Sequence, residues 1–365
     1  MAPPSNPAFA SDYLTTVSKK SDLVTRLNTL HLSLSKLSQN EKDRPKSLRT
    51  VAGHLVSRRI LGNTNREVRL LSCCCIVDIL RIYAPDAPYS SEELCEAFDG
   101  IIFAIRALST YDPTSIIGEK IFYILNNVST LRSCAILVYL HEQGVEGSYD
   151  RLKEFFEAVV SSVREEHTEA VAGHLGYILQ VLIEESASLD QELLDIVLSP
   201  LLPAAKAENP AAFRLVQSVL RRTTLALQGP ISNFVNKNLV GSMAVEQEGG
   251  GGGEGGDGES DLSEHLYALI YELHKVSPDL LLRILPNICV QLQAEEGSIR
   301  LKAIRLLGRL FASPHAEYGV QFSRNFRDFL GRFVDISEEL RLEMIDHGFM
   351  IMSHKPQLRD TVIGE

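Results

Sequence analysis

The triplet apolar-Arg-Leu occurs as Val68-Arg69-Leu70, Phe213-Arg214-Leu215, Ile299-Arg300-Leu301 and Leu340-Arg341-Leu342, and each copy opens a strongly apolar stretch. Arg300 and Arg341 lie 41 residues apart, and Arg214 and Arg300 lie 86 apart, roughly two such periods with an inserted linker. A period of about 40 to 47 residues built from two helices is that of HEAT and armadillo repeats. One helix pair is too thin to bury its own apolar face, so such units fold only by stacking on neighbours. The pattern predicts an all-α protein of the HEAT/armadillo-type α-solenoid class.

The spacing of leucines supports this. Leu23, Leu27, Leu30, Leu34 and Leu37 step by four and three, as do Val171, Leu175, Ile178 and Leu182, and Leu262, Leu266, Leu269 and Leu273. Such steps place side chains on one face of a helix. Helix starts are expected at Asp112-Pro113 and Asn209-Pro210, where a capping side chain precedes a proline at the first helical position. Ser90 with Glu93, and Asp261 with Glu264, have capping-box spacing. Gly229-Pro230 is expected to end a helix, because proline cannot continue one.

The segment from Glu246 to Ser260, EQEGGGGGEGGDGES, holds only glycine, acidic and small polar residues. With nothing apolar to bury it cannot offset its ordering entropy, and it is expected to be a disordered acidic loop. The expected organisation is a disordered terminus at 1–10, a first stretch of solenoid at 11–245, the loop at 246–260, and continued solenoid at 261–365.

Composition removes several function classes. The net charge is −11, which argues against a fold-wide grip on nucleic-acid phosphates and leaves room only for a local basic groove. The glycine run satisfies GxGxxG at Gly250, Gly252 and Gly255, but no strand precedes it and its carboxylates would repel phosphate. Of the six cysteines, Cys73, Cys74 and Cys75 are consecutive and would point about 100° apart on a helix, so they read as core packing rather than a metal site. The others, Cys95, Cys134 and Cys289, form no paired framework, which fits a reducing compartment. His167 and His174 share a helix face but stand too far apart to ligate one ion. No Ser, His and acid set forms a recognisable catalytic motif. The start lacks a secretory signal, and no apolar run approaches the roughly 20 residues that span a bilayer. The expectation is a soluble intracellular protein that is not an enzyme, with no cofactor, no metal and no membrane partner.

Two features carry recognition chemistry. Arg214, Arg221 and Arg222 fall on one side of a helix, either as a solvated face with inter-repeat hydrogen bonding or as a site for an anion or acidic peptide. Ala84-Pro85-Asp86-Ala87-Pro88-Tyr89 follows a helix directly, and its two prolines fix an extended corner. That corner reads either as a rigid turn or as a pre-organised recognition element carrying an exposed acid and an aromatic.

At this corner the sequence resembles a known family. The stretch NREVRLLSCCCIVDILRIYAPDAPYSSEEL is similar to an early segment of the cohesin-associated Pds family (precocious dissociation of sisters). The likeness continues through LDQELLDIVLSPLLP and RRTTLALQGPISNFVNKNL, then resumes after the glycine run with DLSEHLYALIYELHKVSPDLLLRILPNICVQL and FLGRFVDISEELRLEMIDHGFMIMSHKPQL. The resemblance implies a HEAT-repeat solenoid that binds the kleisin subunit of cohesin. It implies recruitment of a Wapl-type releasing factor, cohesion-protecting factors and the cohesin acetyltransferase, and a nuclear location on chromatin through cohesin. It assigns Ala84, Pro85, Asp86, Ala87, Pro88 and Tyr89 to docking of short Tyr-Ser-Arg-type motifs. Family members are much longer, so the chain is expected to be an amino-terminal portion with an incomplete kleisin surface. The glycine insertion lies outside the family pattern. Without the resemblance, the same repeats would suit a nuclear-transport or phosphatase scaffold.

Overall fold

The computed structural model describes residues 6–16, 20–39, 45–110, 112, 115–244 and 265–364. Among these residues there are twenty α-helices, short 3-10 turns and no strand. The fold is all-α and of the HEAT-repeat α-solenoid class expected from the 41-residue spacing. The expected loop at 246–260, the Asp261–Glu264 box, Leu262 and Pro113 lie outside the described residues.

The chain divides into two compact units. The first holds Met1–Ala187 with Asn209–Leu215, and the second holds Ser188–Glu208 with Val216–Glu365.

In the first unit, α1 (Lys20–Leu34), α2 (Leu48–Val56), α3 (Arg58–Leu61), α4 (Arg66–Tyr83) and α5 (Ser91–Ala107) are followed by α6 (Ile116–Thr130), α7 (Ala135–Glu142), α8 (Ser148–Ser162) and α9 (Glu169–Glu185). Helix α4 packs on α1 and α6, and α6 on α9, which makes one layer, while α5 packs on α2 and α8 to make the other. The leucine steps account for this stacking. Leu27, Leu30 and Leu34 on α1, and Leu175, Ile178 and Leu182 on α9, are each fully buried. Full burial of one such side chain contributes about 1.5 to 3 kcal/mol, so the apolar stripe, more than helix propensity, holds each helix in place. Cys73, Cys74 and Cys75 are buried within α4, where desolvation pushes the Cys73 thiol up to about 12. A Cβ at Gly100 of α5 would come within 2.9 Å of Cys73 Sγ, so these residues serve close helix packing as expected.

One buried carboxylate ties three helices of a layer together. Asp78 of α4 is fully buried and accepts from Tyr123 Oη of α6 at 2.6 Å and from Arg81 of α4 at 2.9 Å. It also lies 3.0 Å from His31 Nδ1 of α1. Buried polar groups of this kind are tolerated only when paired, and here every partner comes from the same layer.

The second unit contains α10 (Gln191–Leu198), α11 (Pro203–Glu208) and the larger part of α12 (Pro210–Arg222). It continues with α13 (Thr224–Ala244), α14 (Leu266–Val276), α15 (Leu285–Val290), α16 (Gly297–Phe311), α17 (Tyr318–Gln321), α18 (Ser323–Leu330), α19 (Glu338–His354) and α20 (Arg359–Ile363). Helices α14, α16 and α19 pack in sequence as one layer, and α13, α15 and α18 form the facing one. Arg300 of α16 is nearly buried and meets Asp335 at 3.1 Å through both Nε and Nη2. Burial alone would raise the Asp335 carboxyl. The backbone N–H of Ser337 and the guanidinium groups of Arg300 and Arg332 outweigh it and hold that carboxyl below its ordinary range.

Several local expectations hold and others are corrected. Asn209 Oδ1 accepts from Ala212 N at 3.2 Å and caps α12, whose first residue is Pro210. The Ser90–Glu93 capping box is present at the start of α5. The helix after Asp112 is instead capped by Ser115, whose Oγ accepts from Gly118 N at 3.0 Å, so it starts later than expected. Gly229-Pro230 does not end a helix, since α13 runs through Pro230. The carbonyl that loses its partner there belongs to Ala226, an exposed residue where water can replace the missing N–H. Within the expected unstructured terminus, Pro7–Phe9 form a 3-10 turn with Phe9 buried.

Candidate functional site: the corner between α4 and α5

The corner arises because α4 must stop and α5 must start within seven residues. Helix α4 ends at Tyr83, where Pro85 removes an N–H that could have extended it, and the Ala84-Pro85 peptide is cis. On the other side Ser90 and Glu93 start α5 firmly: Glu93 N donates to Ser90 Oγ at 3.2 Å and Ser90 N donates to Glu93 Oε2 at 2.9 Å. A chain pinned at both ends presents its middle in one conformation.

Only part of that middle faces solvent. Pro85 and Asp86 are exposed, Ala84 and Ala87 are half-buried, and Pro88 and Tyr89 are buried. Tyr89, the aromatic of the expected docking corner, is 9% exposed and packs beneath the corner rather than on its surface. Its hydroxyl has no hydrogen-bond partner, and its pKa is raised by burial first, with Cys75, Glu93 and Tyr83 adding to it. The reason is geometric. Pro88 and Tyr89 lead directly into α5, and the chain must turn inward to set that helix against α2 and α8.

Asp86 is the reverse case. Its carboxylate is exposed and makes no hydrogen bond or ion pair with any described residue. Sequence reasoning read Glu93 only as part of a cap and did not single out Glu92; both lie in the first turn of α5, into which the corner leads. Glu92 is exposed, and its own backbone N–H and the Ser90 hydroxyl hold its carboxyl below the ordinary value. The corner thus offers a bare acid and an exposed proline ring, which suit a cationic side chain, and the first turn of the helix that follows carries two more carboxylates.

Of the arginines of the possible anion or acidic-peptide site, Arg214 falls in the first unit and Arg221 and Arg222 in the second. Arg214 pairs with Glu165 at 2.8 Å. In the second unit, Arg221 Nε donates to Val276 O at 3.4 Å, and Arg222 bonds Ser218 through its backbone oxygen and its hydroxyl. Each guanidinium is turned to a different protein partner.

Comparison with known proteins gives a consistent result. A family model described as "Sister chromatid cohesion protein PDS5 protein" matches residues 21–365. The protein named sister chromatid cohesion protein PDS5 homolog A is 33% identical over 339 residues in Gallus gallus, covering 92% of this chain and 24% of the relative. The Homo sapiens homolog A gives the same identity and coverage. Homolog B-A of Xenopus laevis is 31% identical over 341 residues. The chain thus spans about a quarter of the length of the curated relatives it matches. A solved structure described as "Structure of the Pds5-Scc1 complex and implications for cohesin function" superposes with a TM-score of 0.75 at 21% identity. That likeness covers 96% of this chain and 52% of the other, and supports the helical-repeat fold.

Proposed function

The chain belongs to the PDS5 family of sister chromatid cohesion proteins, and from that premise we propose that it is a non-catalytic scaffold that regulates cohesin on chromatin in the nucleus. Its relatives carry the name of cohesion proteins, and the solved structure it resembles is described as a complex with Scc1. In this reading the repeats hold the kleisin subunit and bring regulators to it. These are a Wapl-type releasing factor, cohesion-protecting factors and the acetyltransferase of the cohesin heads.

The observation that carries the docking part is Asp86, exposed and unpaired on a corner fixed from both ends. A partner's Tyr-Ser-Arg motif would place its arginine on Asp86, with Glu92 and Glu93 adding attraction. Pro85 would supply the exposed apolar surface, while Tyr89 supports the corner from inside.

The test is affinity purification from nuclear extract with this chain as bait. Recovery of kleisin and a releasing factor is the expected result. Recovery of transport cargo or a phosphatase subunit without cohesin would replace this reading with that of a general repeat adaptor.

A further inference from the structure

The second unit contains a cavity of about 380 Å³ lined by residues of three successive helices of one layer and the turn after α16. Lys275 of α14, Arg309 of α16, His315 of the turn, and His347 and His354 of α19 all line it, and no carboxylate is among its lining residues. In a chain of net charge −11, the cleft brings two cationic side chains, Lys275 and Arg309, together with three imidazoles.

The donors in it are held ready. The Arg309 guanidinium lies over the Tyr271 ring, 3.4 Å from its centroid, with Lys275 Nζ 4.9 Å from the same centroid. Stacking fixes the plane of the guanidinium while its N–H donors, directed within that plane, find no acceptor among the described residues. Behind it His347 is 5% exposed, and neither ring nitrogen makes a hydrogen bond. Glu343 Oε1 comes within 3.3 Å of Nε2 without hydrogen-bond alignment. The ring sits where it does because residue 308 is glycine, and a Cβ there would overlap it. His347 thus forms a wall of the cleft between Gly308 and Glu343, and the donors left without an acceptor among the described residues are those of Arg309.

We propose that this cleft is a docking site for an acidic peptide segment of a protein partner, with Arg309 as the main carboxylate fork. The arrangement favours several carboxylates over one phosphoryl group. Packed helix axes stand about 8 to 10 Å apart, so groups on three of them extend over roughly 20 Å. An extended peptide rises about 3.3 Å per residue and would cross that distance in about six residues. Lys275 is already paired with Glu272, which lets it orient and partly neutralise a ligand rather than anchor it. The site is separate from the corner of the first unit, and its failure would leave the cohesin reading standing.

The experiment measures fluorescence anisotropy of a fluorescein-labelled hexaglutamate peptide against the full chain at low salt, with hexaglutamine as the neutral control. Hexaglutamate is expected to bind tighter than hexaglutamine. Arg309→Glu should weaken it by about tenfold or more, because reversal adds repulsion to lost attraction. Arg309→Lys, which keeps the charge and loses the fork, should fall between. Arg324→Glu, an exposed reversal on α18 in the other layer, should bind as wild type does. If Arg309→Glu unfolds, His354→Glu on the exposed rim of the cleft provides the same test. The proposal is overturned by equal binding of both peptides, by equal losses in Arg309→Glu and Arg324→Glu, or by inorganic phosphate or duplex DNA displacing the peptide at concentrations where free glutamate does not.

Discussion

Arg300 and Arg341, one repeat apart, make the same pair of hydrogen bonds. Arg300 Nη1 donates to the carbonyls of Ala294 at 2.8 Å and Glu295 at 2.7 Å, and Arg341 Nη1 donates to those of Asp335 at 2.8 Å and Ile336 at 3.2 Å. In each copy the arginine reaches back six and five residues and fastens the turn that leads into its own helix. A second link joins the copies, because the Asp335 carboxylate also receives Arg300.

Removing that carboxylate should therefore be costly. Asp335→Ala leaves the Arg300 guanidinium buried without a counter-charge, which costs about 3 to 5 kcal/mol. Arg341→Ala removes only neutral carbonyl contacts at a half-buried position and should cost about 1 kcal/mol. Urea denaturation of both variants checks the order, and equal losses would show that the buried pair has no special weight.

Tyr89 gives a test that separates support from recognition. Its hydroxyl is buried and unpaired, so Tyr89→Phe should leave stability unchanged or raise it by about 1 kcal/mol. Tyr89→Ala should lose about 3 to 5 kcal/mol through the cavity it opens. Motif-peptide binding should survive the first change and fall with the second. A loss of binding in Tyr89→Phe at unchanged melting temperature would mean that the hydroxyl contacts the ligand.

Stability should depend on pH through His274. This ring is buried, stands 2.6 Å from Ser313 Oγ and 3.2 Å from Tyr318 Oη, and its pKa is lowered from 6.5 to about 4, chiefly by desolvation. The folded state therefore binds its proton less readily than the unfolded chain. Stability is complete above about 6.5, falls as pH drops toward about 4, and levels off below that for this group. Burial lowers His347 and His174 in the same direction. Thermal melts between pH 7.5 and pH 4 should show a decline that His274→Gln reduces, and a flat profile would contradict it.

The layered core was legible in the sequence, since buried leucines at spacings of three and four report which face is covered. Capping at Asn209 and Ser90 was legible for the same local reason. What failed depends on neighbours remote in sequence. Whether Pro230 breaks a helix turns on the exposure of Ala226, and whether Tyr89 faces water turns on how α5 is set against α2 and α8. The apolar-Arg-Leu triplet marks helix starts faithfully, yet its arginine has no single role. Arg69 stacks 3.5 Å from the Phe103 ring centroid and Arg214 pairs with Glu165, so only the last two copies share a contact. The basic cleft was invisible because Tyr271 and Arg309 meet only after the layer has formed.

The most direct test of the account is the affinity of a Tyr-Ser-Arg motif peptide from a Wapl-type factor for wild type and Asp86→Lys. Calorimetric titration measures it, with a kleisin fragment as the control ligand. Loss of one member of a partly desolvated charge pair costs about 2 kcal/mol, and reversal adds repulsion, so peptide affinity should fall at least about thirtyfold. Melting temperature and kleisin binding should not change, because Asp86 is exposed and makes no hydrogen bond or ion pair with any described residue. Unchanged peptide affinity, or a parallel loss of kleisin binding, would contradict the assignment and leave the corner as a structural turn.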